Sequence, residues 1–401
     1  MTSDGGGAAA PTRHAVLRDR STWTTYVQVG LFGYFLYAFG PTIALLRDET
    51  GTSRAVASLH GTAMAVGSVV VGLVAPYVVR RIGRGGMMRL GSVLVAVGLA
   101  LYVTGGALPL TLLGILVAAG GGTFCLVGAN AFMPDHQGPA TPQAMSEMHA
   151  FGAVMGLLGP LAVGAGVALA WGWRPALVAA AVAFVVLEVV RGRRLHDYDG
   201  RFGTEGAVHA PRERLTSPFW IAIAVLCCAA GVEFCLTFWG SDLLRDRAGL
   251  GDAAAAASIG AIVGGLAVGR VVGSRVVARV DAETALIGSF ALSLAGFAVA
   301  WLSSAALPMV LGLLITGLGM GLQSPLGIAR VVHTAGTQVD RGSGLSSVAI
   351  GTMSGLAPFL LASLADSLGV HTAFLVVPVF AVVAIVLIRL HPVRYAEGPV
   401  R

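Results

Sequence analysis

The chain has 401 residues, 56% hydrophobic and 11% charged, with a formal net charge of +6 and a mean hydropathy of +0.81. A soluble globular domain carries about 25% charged residues, so the composition excludes a soluble enzyme or binding domain. The basic residues are all Arg and are scattered over short segments rather than gathered on one face, which excludes a nucleic-acid interface.

In chain order, a polar stretch 1–20 comes first. It lacks the short apolar core and small-residue cleavage site of a signal peptide, so the first apolar run should remain as a spanning helix. Twelve apolar runs follow: 24–46, 55–79, 90–105, 109–132, 145–170, 175–190, 218–241, 253–277, 284–304, 307–330, 342–364 and 371–388. A membrane core is ~30 Å thick and a helix rises 1.5 Å per residue, so runs of this length predict spanning helices. Backbone in lipid must satisfy its own hydrogen bonds, which leaves helix as the local structure. The expected class is therefore an all-α membrane protein of twelve transmembrane helices. The long polar run 191–217 is the one break between the two ends. It divides the chain into a tail (1–20), a six-helix bundle (21–190), a linker (191–217), a second bundle (218–390) and a tail (391–401). Segments on the side of the termini and linker hold 21 Arg against five on the other. The positive-inside rule then places both termini in the cytoplasm and the chain in the cell membrane, multi-pass.

The two bundles repeat at a constant offset of 198 residues. Leu45-Leu46-Arg47-Asp48 with Gly51 matches Leu243-Leu244-Arg245-Asp246 with Gly249. Val78-Val79 and Arg81 match Val276-Val277 and Arg279, Leu113-Gly114 and Leu116 match Leu311-Gly312 and Leu314, and Pro160 matches Pro358. One register across four elements marks a duplicated six-helix unit.

Two six-helix halves joined by a basic loop resemble the major facilitator superfamily of secondary transporters, over essentially the whole chain. The loop after the second span, Gly72-Leu73-Val74-Ala75-Pro76 through Arg80, Arg81, Gly83 and Arg84, resembles that family's signature, with Pro76 where the signature has an acid. Span five resembles the family's Gly-Pro antiporter motif at Gly156, Gly159, Pro160 and Gly164, and Gly172-Trp173-Arg174 resembles a turn of drug-exporter-like members. The resemblance implies alternating access around a midplane cavity. The Gly-Pro motif points to proton-coupled export of a small organic molecule. Gly269-Arg270, like a pair in sugar permeases, keeps uptake by proton symport open. A reading of another class is a sensor or scaffold that does not transport.

The repeat filters candidate residues, because a substrate or proton site is free to occupy one half only. Glu233 faces Phe35 at its repeat position and lies 15 residues into span seven, roughly 22 Å along the helix. An acid at that depth should face the cavity rather than lipid. It would serve proton coupling or a cationic substrate, or else brace helices as a neutral acid. His149 and His60 could move protons or be plain hydrogen-bonded residues. Glu147, at the start of span five, is expected to pair with Arg270 or Arg275 of span eight as a cytoplasmic gate, with Arg80 and Arg81 beside it. Asn130 and Gln323 could bind a polar substrate or tie helices together. Tyr34, Tyr37, Phe234 and Phe238 would line an aromatic cavity or simply pack. Gly159, Pro160 and Pro358 are expected hinges, since proline removes a helix hydrogen bond.

The four cysteines lie inside apolar runs without metal-ligand spacing, and no P-loop, HExxH, CxxC or nucleophile elbow occurs. Neither metal, cofactor nor enzyme activity is expected. The expected partners are a small-molecule substrate, a proton (with sodium open as the coupling ion) and the lipid bilayer, around a monomer.

Overall fold

The computed structural model describes residues 15–199, 215–277, 279–336 and 338–393. Among these, all extended regular structure is helical. The helices are α1 (Arg20–Thr50), α2 (Arg54–Thr104), α3 (Leu108–Gln137), α4 (Thr141–Ala168), α5 (Arg174–Arg191), α6 (Ser217–Ala248), α7 (Asp252–Val277), α8 (Ala282–Leu302), α9 (Ala306–Thr334), α10 (Val339–Leu368), α11 (Val370–Ala373) and α12 (Val376–Leu390). Ten helical stretches among the described residues are long and apolar enough to cross a membrane, which makes this a multi-pass integral membrane protein.

The differences from the expected spans have simple causes. Runs 55–79 and 90–105 form the two arms of α2, which are two helices joined at a kink at Gly83, φ 72° and ψ 171°. Glycine takes this positive φ without the Cβ clash that other residues meet. The stretch 175–190 forms α5, but Arg174, Glu188 and Arg191 make its flanks too charged for it to count among the ten. The last run is bent after Ala373 into α11 and α12. Of the expected non-membrane segments, 1–14, 200–214 and 394–401 lie outside the described residues.

The 198-residue register is written into the packing. Gly67 of α2 lies where a Cβ would strike the Leu116 carbonyl oxygen, and Gly265 of α7 meets Leu314 in the same way. Gly98 abuts Gly114 and Ala118 on α3, just as Gly296 abuts Gly312 and Thr316 on α9. Gly121 against Gly91 and Val95 is repeated by Gly319 against Ser289 and Ser293. Small residues at these crossings let backbones touch, the main source of helix attraction where lipid is as apolar as the side chains. α1 and α6 close with the same left-handed glycine cap, Gly51 and Gly249. The second arm of α2, residues 84–104, corresponds to α8.

The halves meet along α2–α10, α4–α7 and α1–α6. Gly164 of α4 packs on Ala253 and Ala257 of α7, and Gly355 of α10 on Gly61 and Thr62 of α2. Near one end of the bundle α1 and α6 come to backbone contact, Gly40 against Thr237. The opposite end carries the two described chain ends and residues 191–199, and is called here the terminal end.

Candidate functional site

Four helices bring four polar side chains together between the halves. Glu233, near the middle of α6, is buried, and its Oε1 accepts a hydrogen bond from the Tyr37 hydroxyl of α1 at 2.9 Å. The Tyr37 ring lies on Gly156 of α4, where any Cβ would overlap it. That missing side chain lets the tyrosine lie across the interface. Arg270 of α7 is within interaction range of the Tyr37 hydroxyl and also of His149 on α4. His149 is exposed and Arg270 partly so, whereas Glu233 and Tyr37 are closed off. The arrangement runs from an accessible guanidinium and imidazole on the terminal side, through one phenol, to a carboxyl in the interior. Chemically it can hold a proton on Glu233, pass a hydrogen bond through Tyr37 and present a fixed positive charge at Arg270.

A second constellation joins the halves at the other end. Asp242 of α6, its side chain 3% exposed, takes ion pairs from Arg47 of α1 and, at 3.0 Å, from Arg54 of α2. Arg245 bonds Asp48 of α1 at 2.7 Å and Asp252 of α7 at 3.0 Å, and Arg54 reaches Asp366 of α10. Arg47 also lies over the Trp239 ring at 5.9 Å. All ion pairs between the halves, among the described residues, are in this group. The ion pairs of the terminal end stay within one half: Arg84–Asp135, Arg89–Glu188, Arg191–Glu188 and Arg330–Glu283.

Residues 25–308 and 265–400 match the sequence profile of the Major Facilitator Superfamily. The chain belongs to that superfamily. Solved members share the fold at low identity. A bacterial homologue of the human lysosomal transporter Spinster, inward-facing and occupied, has a TM-score of 0.74 at 13% identity, covering 96% of this chain and 100% of its own. The nucleoside transporter NupG has a TM-score of 0.70 at 12% identity over 93% and 98% of the two chains. A D-xylose–proton symporter has 0.71 at 12% over 93% and 96%. No curated protein sequence matches the chain. As a facilitator-superfamily member it is a transporter rather than an enzyme.

Within this superfamily fold the expected site residues separate. Glu233, Tyr37, Arg270 and His149 converge. Glu147 does not reach Arg270 or Arg275. It accepts from Arg18 at 2.8 Å, from Gln143 and from Tyr26, because residues 15–19 cross the terminal end and place Arg18 over α4. Tyr34 turns away from the interface, its hydroxyl donating to the Ala176 carbonyl of α5 at 3.0 Å. Gln323 is buried inside its own half, donating to Ser293 at 2.8 Å. His60 is a core residue held by the Ala57 carbonyl and Thr111, edge-on to Tyr102, beside a cavity of about 150 Å³. Phe238 is buried between Phe39 and Phe234. Asn130, Arg80, Arg81 and Arg275 are exposed, and Arg81 stacks over Tyr77. Pro160 and Pro358 sit inside unbroken α4 and α10. Gly159 is the seat on which Tyr34 and Ala38 of α1 approach α4. The Gly172-Trp173-Arg174 turn clamps α1, with Trp173 and Arg174 both bonding Glu49.

The Asp242 group was missed by sequence reasoning although the signal was present. Asp242 faces Ala44 at its repeat position and so passes the one-half filter that singled out Glu233. Arg47 and Arg245 were read only as markers of the repeat.

Proposed function

We propose that the chain is a proton-coupled secondary transporter of a small organic molecule, working by alternating access, with Glu233 as the residue that loads and releases the proton. The observation that carries this reading is the buried Glu233–Tyr37 hydrogen bond, which crosses from one half to the other at mid-depth. An ionisable residue inside a membrane helix is expensive and is kept for function or pairing. Relative motion of the halves must break this bond, so proton loading and rocking act on the same contact. Twelve crossings, two six-helix bundles (21–190 and 218–390) and cytoplasmic termini in the cell membrane complete the proposal. The halves tie together by ions only at the end away from the termini, among the described residues, which fits an inward-facing state.

Export was favoured by the glycines of span five. Gly156 and Gly159 receive Tyr37, Tyr34 and Ala38 of α1, contacts that neither support nor oppose export. The test is reconstitution into proteoliposomes with an imposed pH gradient and a panel of sugars, nucleosides, organic acids and amphipathic cations. The proposal expects gradient-driven accumulation by the native chain and its loss in Glu233→Gln. Unchanged accumulation in Glu233→Gln removes Glu233 from the coupling.

A further inference from the structure

We infer that Arg270, with His149 beside it, is the recognition site for an organic anion, a carboxylate or phosphate ester, and that this anion binds together with the proton on Glu233. The inference rests on the transport reading above and names its substrate class.

Arg270 lies seven residues before the end of α7 at Val277, about 10 Å in along the axis. A guanidinium remains charged at any physiological pH, and a charge at this depth calls for a counter-charge. Elsewhere the chain supplies one. The buried Arg47, Arg191 and Arg330 each hold an ion pair with Asp242, Glu188 and Glu283. Among the described residues no carboxylate lies within ion-pair distance of Arg270. Its polar neighbours are the Tyr37 hydroxyl and the His149 imidazole. Neither carries a negative charge; the Tyr37 hydroxyl gives its one proton to Glu233, and the imidazole is left to donate. A guanidinium fork and an imidazole on a partly exposed spot between the halves match an oxyanion, which the fork binds bidentately.

Glu233 sits on the other side of the same phenol. The remaining helices packed on α6 bear charge only near their ends: Arg330 and His333 on α9, Asp340, Arg341 and Asp366 on α10, His371 on α11, Arg389 on α12. Arg270, seven residues from the end of α7, lies further from a helix end than any of these charged or titratable groups. An anion on Arg270 repels an ionised Glu233 and is indifferent to a protonated one. Anion and proton thus strengthen each other's binding by the same factor. Cargo and proton that bind together move together, so this site supports symport and not exchange.

The experiment uses the full chain in detergent and in proteoliposomes. Thermal shift and tryptophan quenching are read with benzoate, lactate and glycerol 3-phosphate, against the neutral counterparts benzamide, propane-1,2-diol and glycerol. At least one anion should bind, about tenfold tighter at pH 6 than at pH 8, and the neutral compounds should not. Benzoate or lactate binding identifies a carboxylate, and glycerol 3-phosphate binding a phosphate ester. Arg270→Gln should abolish the shift and Arg270→Lys should retain part of it, with both variants melting cooperatively. Glu233→Gln should bind the same anion with the pH dependence flattened. The inference is overturned if no anion binds, if the neutral counterpart binds equally, if Arg270→Gln binds as the native chain does, or if binding tightens at pH 8. Gradient-driven accumulation of a neutral solute, lost in Glu233→Gln, would sink the anion site and leave the transport proposal standing. Failure of the gradient to drive any solute would sink the transport proposal itself.

Discussion

Replacing Asp242 by Asn tests whether the ion group away from the termini acts as a latch between the halves. The Asp242 and Arg47 side chains are 3% and 10% exposed. Removing one partner of a buried ion pair destabilises by about 3–5 kcal/mol. Several features reduce this here. Arg47 keeps Asp48 at 2.6 Å, Arg54 and Arg245 are 31% and 26% exposed and can rehydrate, and Asn still accepts a hydrogen bond. The loss is therefore about 2 kcal/mol, or roughly 25-fold in an equilibrium constant. Because Asp242 belongs to one half and Arg47 and Arg54 to the other, the loss falls on the conformation in which this end is closed. Spin labels at Thr104→Cys and Ser304→Cys, exposed at this end of each half, in a Cys227→Ser background, report the separation. Asp242→Asn should add a longer-distance population that the parent lacks. A distance distribution identical to the parent, with only a lower melting temperature, would mean that the group braces the fold without gating it.

Other contacts give further expectations. Gly156→Val inserts a side chain into the Tyr37 ring and should lower transport at least tenfold while the detergent-solubilised protein still melts cooperatively, as read by proteoliposome uptake and thermal shift. Arg191, 1% exposed, donates to Gln28 and Tyr198 at 2.8 and 3.0 Å; Arg191→Met should destabilise by about 3 kcal/mol, because Glu188, Gln28 and Tyr198 lose a buried donor, and equal midpoints in a denaturation series would refute this. Arg18→Gln breaks an ion pair whose Arg is 55% exposed, so stability should change by less than about 1 kcal/mol; a larger fall in the melting temperature would give the strap 15–19 a stabilising role. Burial pushes the Asp19 carboxyl up, but the Thr22 backbone N–H, the Ser21 hydroxyl and His136 outweigh it and hold it below its ordinary 3.8. The part of its contribution that comes from Thr22 and Ser21 is therefore complete above that value and lost as pH falls below it; in a His136→Gln background, protection of residues 15–19 in hydrogen exchange should be flat from pH 8 to 5.

That the chain is a multi-pass membrane protein of this superfamily was legible because apolar length and the 198-residue register are linear properties of the chain. Each of the four central residues is also visible in the sequence as a candidate, Arg270 as a gate residue. Glu233, Tyr37, Arg270 and His149 are polar or aromatic groups at membrane depth, and two of them face apolar or small residues at their repeat positions, Phe35 and Gly72. Their partnership was not legible. Helical depth says how far along the axis a side chain lies, while the direction it points depends on how neighbouring helices are rotated. Glu147 and Arg270 lie at comparable depth, yet Glu147 turns to Arg18, a residue on a segment with no apolar pattern to announce it. His60 and Gln323 looked like site residues for the same reason. Each finds its partner on the next helix of its own half, Thr111 and Ser293, and these hydroxyls give no signal in a hydropathy profile.

The repeat also shows where the two halves stopped being equivalent. The glycine crossings Gly67–Leu116 and Gly265–Leu314 are preserved as mirror copies, so the scaffold of each half is the same object. Charge is duplicated only in part, at Arg47-Asp48 with Arg245-Asp246 and at Arg81 with Arg279. Glu233 stands opposite Phe35, Arg270 opposite Gly72, Asp242 opposite Ala44 and Arg54 opposite Asp252. At the far end each half offers both an acid and a base to the other, Arg47 and Arg54 to Asp242 and Asp48 to Arg245, and at the centre the tie between halves is the Tyr37 hydroxyl on Glu233. The same asymmetry lets a proton on Glu233 or an exchange of partners at Asp242 change how strongly the halves hold each other, which is the quantity a rocking transporter must control.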